Sequence, residues 1–207
     1  MIVCYNGTCV SESNDKLGNI PSFSTMPGET CASDVPCRDD CYAKRMIRSY
    51  RKNVVRSWKR NTELVKSRRY EEIIEDITSY IRFKHSGLFR WFVGGDIFDR
   101  GMLIAMTRIA EQCPETRFLC FTKRYDLLEE YLEQEMDVPE NLNIVLSAWK
   151  SYQPSEILKK RFPVCYMDDG TSECEVPPDA LACNGHCIEC QACFGLKCGA
   201  CVKIHKH

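Results

Sequence analysis

The stretch Leu88-Phe89-Arg90-Trp91-Phe92-Val93, followed directly by Gly94-Gly95-Asp96, shows how the whole fold is organised. Its first six residues are mostly apolar and have the length of one buried strand. The glycines that follow indicate a turn, and Arg100–Gln112 then shows helical periodicity up to Pro114. A strand, a polar turn and a helix in this order are the repeating unit of a parallel α/β sheet.

Similar units lie on both sides of this stretch. The predicted strands are Ile20–Met26, Leu88–Val93, Arg117–Phe121, Leu142–Ala148 and Pro163–Met167, and the predicted helices are 42–68, 71–84, Arg100–Gln112, Tyr125–Met136 and Ser155–Arg161. Alternating strands and helices of these lengths imply right-handed crossovers and a parallel sheet. Four or five units are too few for a closed eight-stranded barrel. We therefore predict an α/β fold that is a partial (β/α) barrel or an open parallel sheet.

Polar residues follow the predicted strands where each strand ends. In parallel α/β folds the carboxyl ends of the strands carry the chemistry. Gly94 and Gly95 would let the backbone approach a ligand closely, and Asp96 could hold an ammonium or hydroxyl group. Lys123 could neutralise an anion, and Ser147 is a further candidate binding residue at the end of its strand. The simpler alternatives are a tight turn at the glycines and an ordinary surface lysine.

Three cysteines, Cys31, Cys37 and Cys41, form a loop that leads into a predicted helix at Tyr42. The chain has 15 cysteines, an odd number, so a complete set of intramolecular disulfides is impossible. Three thiolates in one loop are typical of metal binding. An iron–sulphur cluster, a zinc ion and free buried thiols are the alternative interpretations of this loop.

The last 25 residues contain six more cysteines. The central run, Cys187-x2-Cys190-x2-Cys193, can hold three corners of a [4Fe-4S] cluster, with a fourth cysteine from elsewhere in the chain. Cys183 is the nearest candidate for that ligand, and the alternatives are Cys165, Cys174, Cys198 and Cys201. Zinc is the other interpretation, because the pairs 190/193 and 198/201 could together form a four-sulphur site.

These motifs together resemble a family of phage proteins called gene product 88. The resemblance rests on Lys16-Leu17-Gly18-Asn19-Ile20-Pro21-Ser22-Phe23-Ser24, the Cys31…Cys37…Cys41-Tyr42-Ala43 loop, Gly94-Gly95-Asp96, Phe121-Thr122-Lys123 and Cys187-x2-Cys190-x2-Cys193…His205. The family is similar in outline to radical S-adenosylmethionine (radical SAM) proteins. Their usual spacing is Cys-x3-Cys-x2-Cys, whereas this chain has Cys-x5-Cys-x3-Cys.

The resemblance implies a set of roles for these residues. Cys31, Cys37 and Cys41 would hold a cluster with one open iron, and S-adenosylmethionine (SAM) is the candidate cofactor. Tyr42 would lie near its adenine, and the Gly94-Gly95-Asp96 motif near its amino group. The tail cysteines would hold an auxiliary cluster. An enzyme of the radical SAM type is thus the first hypothesis for the function.

A basic stretch supports a different hypothesis. Residues 38–69 carry twelve Lys and Arg against three Asp and Glu, although the formal net charge of the chain is −1. The predicted helix 42–68, with Tyr50 and Trp58, could contact nucleic acid or a host protein, while a solvated helix face is the simpler alternative. In that case the clusters or zinc ions would be structural, and the phage protein would have no catalytic activity.

The remaining features bound the location and the domains. We see no secretory leader, and no apolar run approaches the roughly 20 residues that cross a bilayer, so we expect a cytoplasmic protein without membrane contact. The expected domains are 1–172, the partial barrel with its cysteine loop, and 173–207, the cysteine-rich tail packed on it. No catalytic Ser/His/Asp pattern, phosphate loop or His-Glu-x2-His motif is present.

Overall fold

The predicted alternation of strands and helices is confirmed. The computed structural model describes residues 1–39, 41–48, 52–134, 136–170 and 176–205. The strands are β1 Ile2–Tyr5, β2 Thr8–Ser11, β3 Ser22–Phe23, β4 Leu88–Trp91, β5 Arg117–Thr122, β6 Leu142–Ala148, β7 Val164–Asp168, β8 Leu181–Ala182 and β9 Cys201–His205. The helices are α1 Tyr42–Arg48, α2 Lys52–Lys66, α3 Tyr70–Lys84, α4 Arg100–Gln112, α5 Tyr125–Glu133, α6 Glu156–Arg161 and the short α7 Cys187–Cys190.

The strands of the described residues form one nine-stranded sheet that does not close into a barrel. Its order is β1-β2-β3-β4-β5-β6-β7-β9-β8. The pairs from β3 to β8 are parallel, whereas β1, β2 and β3 pair in antiparallel fashion. The fold is therefore an open α/β sheet with an antiparallel extension at its N-terminal edge.

The order of the parallel strands decides where the helices lie. From β3 to β7 each new strand adds on the same side, and right-handed crossovers that all step in one direction place their helices on one face. The main core lies on that face, where Phe89, Phe118 and Ile144 of the sheet pack with Ile77 of α3 and Met106 of α4. Helices α3 to α6 all contribute to this core, so the other face of the central strands is left to other parts of the chain.

The C-terminal segment covers this second face. β8 lies at the sheet edge, and the chain then steps back to form β9 between β7 and β8. A right-handed crossover in this reverse direction passes over the opposite face. The burial pattern agrees, because Phe194 of the connection packs with Leu119 of β5, Val145 of β6 and Val202 of β9. The strands of the tail were not predicted from the sequence.

The N-terminal residues form a hairpin that the sequence analysis did not predict. β1 and β2 pair with Cys4 opposite Cys9, and these two cysteines form a disulfide. The buried carboxylate of Asp76 on α3 accepts hydrogen bonds from the backbone of Gly7 and Thr8 in the turn. These contacts fix the hairpin to the helical layer.

Candidate functional site

One cavity collects most of the residues that the sequence pointed to. It has a volume of about 320 Å³ and is lined by residues of the cysteine loop, the strand ends and the tail. The predicted site residues on its wall are Cys31, Cys37, Cys41, Tyr42, Gly94, Gly95, Asp96, Lys123, Ser147, Cys183, Cys187, Cys190 and Cys193. The cavity thus brings the two cysteine sets, which are distant in sequence, to one place.

Alternating residues of the strands line the floor of this cavity. Arg90 of β4, Phe121 of β5, Ser147 of β6 and Cys165 of β7 all face it. Their neighbours in sequence, such as Phe89 and Leu146, lie in the helical core instead. The period-two alternation of a strand explains this division. The cavity therefore lies along the face of the sheet opposite helices α3 to α6.

The loop with Cys31, Cys37 and Cys41 is fixed to the end of β4 through two threonines. The hydroxyl groups of Thr25 and Thr30 lie 2.7 Å apart, and Thr30 Oγ1 accepts a hydrogen bond from the backbone of Asp96. Gly95 has φ +82°, and a Cβ atom there would lie 1.9 Å from Thr25 Oγ1. The loop packs where a side chain at Gly95 would be.

Gly94 has a similar packing role. A Cβ atom on Gly94 would lie 2.3 Å from the ring of Trp58, which is buried beneath it. Trp58 is therefore unavailable for stacking on a nucleic-acid base, and Tyr50 lies outside the described residues. The two glycines serve close packing between the strand end, α2 and the cysteine loop, and both also line the cavity.

Asp96 connects two neighbouring strand ends. Its carboxylate accepts hydrogen bonds from the Thr122 hydroxyl at 2.6 Å, from the backbone of Lys123 at 3.0 Å and from its own neighbour Ile97 at 2.8 Å. Burial raises the pKa of this carboxyl above its ordinary value, while the hydrogen bond from Thr122 opposes the shift. The carboxylate therefore holds the loops after β4 and β5 in register.

The thiols of the N-terminal set share an environment of low polarity. Burial raises the pKa of Cys31 to about 11, and the thiols of Cys37 and Cys41 act in the same direction. Burial also raises the pKa of Cys37, and the charge of Lys123 opposes that shift. Thiols whose pKa is raised in this way must release their protons when they bind a metal.

The tail thiols form a second group on the same wall. Burial raises the pKa of Cys193 to about 11, and among its neighbours Arg90 lowers it while Cys183, Cys187 and Cys190 raise it. The amide of Asn143 on β6 donates a hydrogen bond to the Cys193 carbonyl at 2.7 Å. The tail is therefore anchored to the sheet next to its cysteines.

The remaining candidate ligands lie in different positions. Cys165 is buried on the cavity floor, where burial raises its pKa to about 12. Cys198 is exposed, and neither it nor Cys201 belongs to the cavity wall. Cys174 lies outside the described residues. In the described part of the chain, no three His, Cys, Asp or Glu side chains are already arranged around a point that could hold a metal ion.

Tyr42, Lys123 and Ser147 lie at the rim and the strand ends. Tyr42 is 47% exposed at the start of α1. The Lys123 ammonium lies 5.8 Å from the centre of the Trp149 ring, and the Ser147 carbonyl accepts a hydrogen bond from Tyr125. All three line the cavity.

No helix among the residues described here is long and apolar enough to cross a membrane.

Sequence reasoning named Ser147 and Cys165 of the cavity floor but missed Arg90. The available signal was a single arginine inside the apolar run 88–93. A charged residue that alternates with buried apolar ones indicates that the second face of the strand borders a polar surface or a cavity. That signal becomes useful only once the uncovered face of the sheet is known.

Fold and site define an open α/β protein with a cavity lined by cysteines on the face opposite helices α3 to α6, with α1 at its rim. The chain belongs to the phage protein family described as Gene product 88, whose family model matches residues 6–206. Neither the curated proteins nor the solved structures gave a match.

Proposed function

We propose that this phage protein is an iron–sulphur enzyme of the radical SAM type. One [4Fe-4S] cluster would be held by Cys31, Cys37 and Cys41, and a second by the tail cysteines. The observation that carries the proposal is the shared cavity, whose wall contains both cysteine sets. A single chamber would let the chemistry at one set reach a molecule bound beside the other.

The donor atoms suit such clusters. Soft thiolate ligands favour iron–sulphur clusters and zinc over hard cations. In a cluster each thiolate binds a different iron atom, so the ligands stand further apart than around a single ion. A four-iron cluster held by three thiolates would leave one iron open to the amino and carboxylate groups of SAM and would supply the electron that cleaves its sulphonium bond.

The surrounding residues have roles that follow from their contacts. Asp96 and Thr30 hold the cysteine loop against the strand ends. Tyr42 borders the mouth of the cavity, and Lys123 places a positive charge near Cys37. A volume of about 320 Å³ lies in the range of small-molecule sites. Apolar residues of the wall such as Leu119, Phe121 and Phe194 would keep water away from a reactive group.

Anaerobic purification with iron, sulphide and zinc analysis tests this proposal, followed by EPR of the reduced protein with and without SAM. We expect about eight irons and eight sulphides per chain, as two four-iron clusters require, and a signal that SAM changes. Zinc without sulphide would refute the proposal of a radical SAM enzyme. A reconstituted protein that neither binds nor cleaves SAM would refute it as well.

Three cysteine variants locate the metal. Cys37→Ser and Cys190→Ser should each remove about half of the iron, since each belongs to a different set. Cys113→Ser is the matched control, because Cys113 is buried in the helical core away from the cavity. Its iron content should equal that of the parent protein.

A second candidate function, nucleic-acid binding, is supported by the surface of α2. Lys52, Arg56 and Lys59 are exposed and lie on one side of this helix, at spacings of four and three residues. A charge stripe of this kind suits contacts with phosphate groups. In this case the protein would bind DNA or RNA while the metal sites stabilise the fold.

Fluorescence anisotropy with single- and double-stranded oligonucleotides tests this second candidate. Affinity should fall steeply between about 50 and 200 mM salt. Changing Lys52, Arg56 and Lys59 together to Gln should abolish binding, whereas the same change at residues 159–161 of α6 should not. No binding at low salt would exclude this function.

A further inference from the structure

Arg90 is a charged residue inside an apolar strand. Its neighbours Phe89 and Trp91 are completely buried in the helical core, whereas Arg90 points to the other face and lines the cavity. Its guanidinium lies 4.2 Å from the centre of the Phe121 ring on the adjacent strand β5. The side chain is thus held in one position on the cavity floor by cation–π stacking.

Within the described parts of the chain, this guanidinium has no acidic partner. No carboxylate among the described residues forms an ion pair with Arg90, and its side chain donates no hydrogen bond to them. Burial lowers the pKa of Arg90, and the nearby thiols of Cys120, Cys187 and Cys193 only partly oppose this shift. Arg90 is only half-buried, so its guanidinium is accessible from the cavity, and a ligand that carries a negative charge could supply the counter-charge.

The same cavity contains further positive charge. Lys16 and Lys123 line it, and both act on the buried thiol of Cys165. The only carboxylate on the described wall is that of Asp96, which is occupied by the hydrogen bonds that join the strand ends. Among the described residues of the wall, Lys and Arg side chains therefore outnumber the carboxylates.

We propose that Arg90 forms an oxyanion site on the cavity floor, with Lys16 and Lys123 adding positive charge elsewhere on the same wall, and that the molecule bound at Arg90 carries a carboxylate or a phosphate group. The planar guanidinium can donate two parallel hydrogen bonds to either group. Stacking on Phe121 leaves the edge of the guanidinium free to do so. The site is formed by the sheet itself, whereas the cysteines surround it.

The proposal deepens the proposed function and rests on it only for the role of the bound molecule. Arg90 lies near the tail thiols Cys187 and Cys193, whereas the cofactor is expected at Cys31, Cys37 and Cys41. The oxyanion would therefore belong to a substrate, not to the cofactor. Binding at Arg90 itself does not require an iron–sulphur cluster.

Calorimetric titration of the protein with inorganic phosphate and, separately, with malonate tests the site. Both the protein as purified and the anaerobically reconstituted protein are used, at constant ionic strength. We expect binding of at least one probe, and the tighter one identifies the group as phosphate or carboxylate. Arg90→Met should weaken that binding by at least about tenfold. Arg90→Lys should weaken anion binding less, because lysine keeps the charge but lacks the planar guanidinium fork.

Two further variants keep the test independent of folding. Lys123→Gln should also weaken binding, and Arg108→Gln should not, because Arg108 lies on α4 outside the cavity and pairs with Glu71. Arg90→Met should melt close to the parent, since the cation that it removes is only half-buried and forms no ion pair with the described residues. A melting temperature well below that of the parent would assign Arg90 a structural role and overturn the proposal.

Other results would also overturn it. One is the absence of binding of either probe at millimolar concentration. Another is equal affinity in the parent and in Arg90→Met. If Arg90→Met lost iron while its anion affinity stayed unchanged, Arg90 would be the counter-charge of the tail thiolates instead. Because anion binding is measured without and with iron, a protein that contains no cluster can still confirm the oxyanion site.

Discussion

At the scale of single residues, two glycines shape the wall of the cavity because they have no side chain. Gly94 and Gly95 leave the space that Trp58, Thr25 and Thr30 occupy. The same two glycines precede Asp96, which joins the ends of β4 and β5. A motif that suggests ligand contact from its sequence thus also has a packing role in forming the site.

Gly95→Ala should destabilise the protein more than Gly170→Ala. Both glycines have positive φ, +82° and +79°, so both variants incur the backbone cost of about 1–2 kcal/mol. Only at Gly95 would the new methyl group meet neighbours, Thr25 and Thr30, which adds about 1–3 kcal/mol. Urea unfolding of both variants measures the difference. Equal losses would contradict the packing role of Gly95.

At the scale of elements, the direction of the last crossover determines the site. Helices α3 to α6 pack on one face of the sheet, and the connection from β8 to β9 lies on the other. Phe194 is the main apolar anchor of that connection and is 4% exposed. The packing of this ring and the hydrogen bond from Asn143 to Cys193 therefore hold the tail cysteines at the cavity.

Phe194→Ala should loosen the tail without unfolding the sheet. Truncating a buried phenylalanine costs about 3–5 kcal/mol, and here the loss falls on the segment that contains Cys187 and Cys193. Alkylation of these two thiols should become faster, while Cys31 should change little. Mass spectrometry of the labelled peptides measures the rates.

Phe83→Ala is the control for this variant, because Phe83 is 69% exposed on α3. It should leave all alkylation rates unchanged. If Phe194→Ala accelerated labelling equally in both cysteine sets, the tail would not be an independently anchored segment.

At the scale of the whole molecule, two distant parts of the chain meet at one cavity. The cysteine loop follows β3, and the tail precedes β9, with most of the sheet between them in sequence. Hydrogen exchange can follow both parts in one experiment.

On reconstitution with iron and sulphide, amide protection should rise in residues 28–48 and 183–200, because fixed ligands stop local opening. Residues 70–84 of α3 lie away from the cavity and should not change. Mass spectrometry of the metal-free and reconstituted proteins makes the comparison. A gain confined to one of the two cysteine regions would mean that only one set holds a metal.

Much of the fold followed from local patterns. Strands β4 to β7 and helices α3 to α6 were predicted near their observed positions, because their apolar residues recur with strand or helix spacing. The hairpin at Cys4 and Cys9 and the strands β8 and β9 were not predicted. The hairpin strands have four residues each and β8 has two, so local pattern is weak there, and β9 lies in a segment that its cysteines marked as a metal-binding tail; the pairing of these strands depends on the rest of the sheet.

The sequence by itself determined which residues could carry chemistry: the cysteine spacings, the polar strand ends and the basic helix. The tertiary structure decided which of them meet. Strand order and the reversal at β9 left one face of the sheet opposite helices α3 to α6. On that face Cys31 and Cys193 line one cavity, and Arg90 lies on its floor. The physical reason is that periodicity fixes each residue's side of its own strand, whereas the choice of which side is covered depends on how all the strands pair.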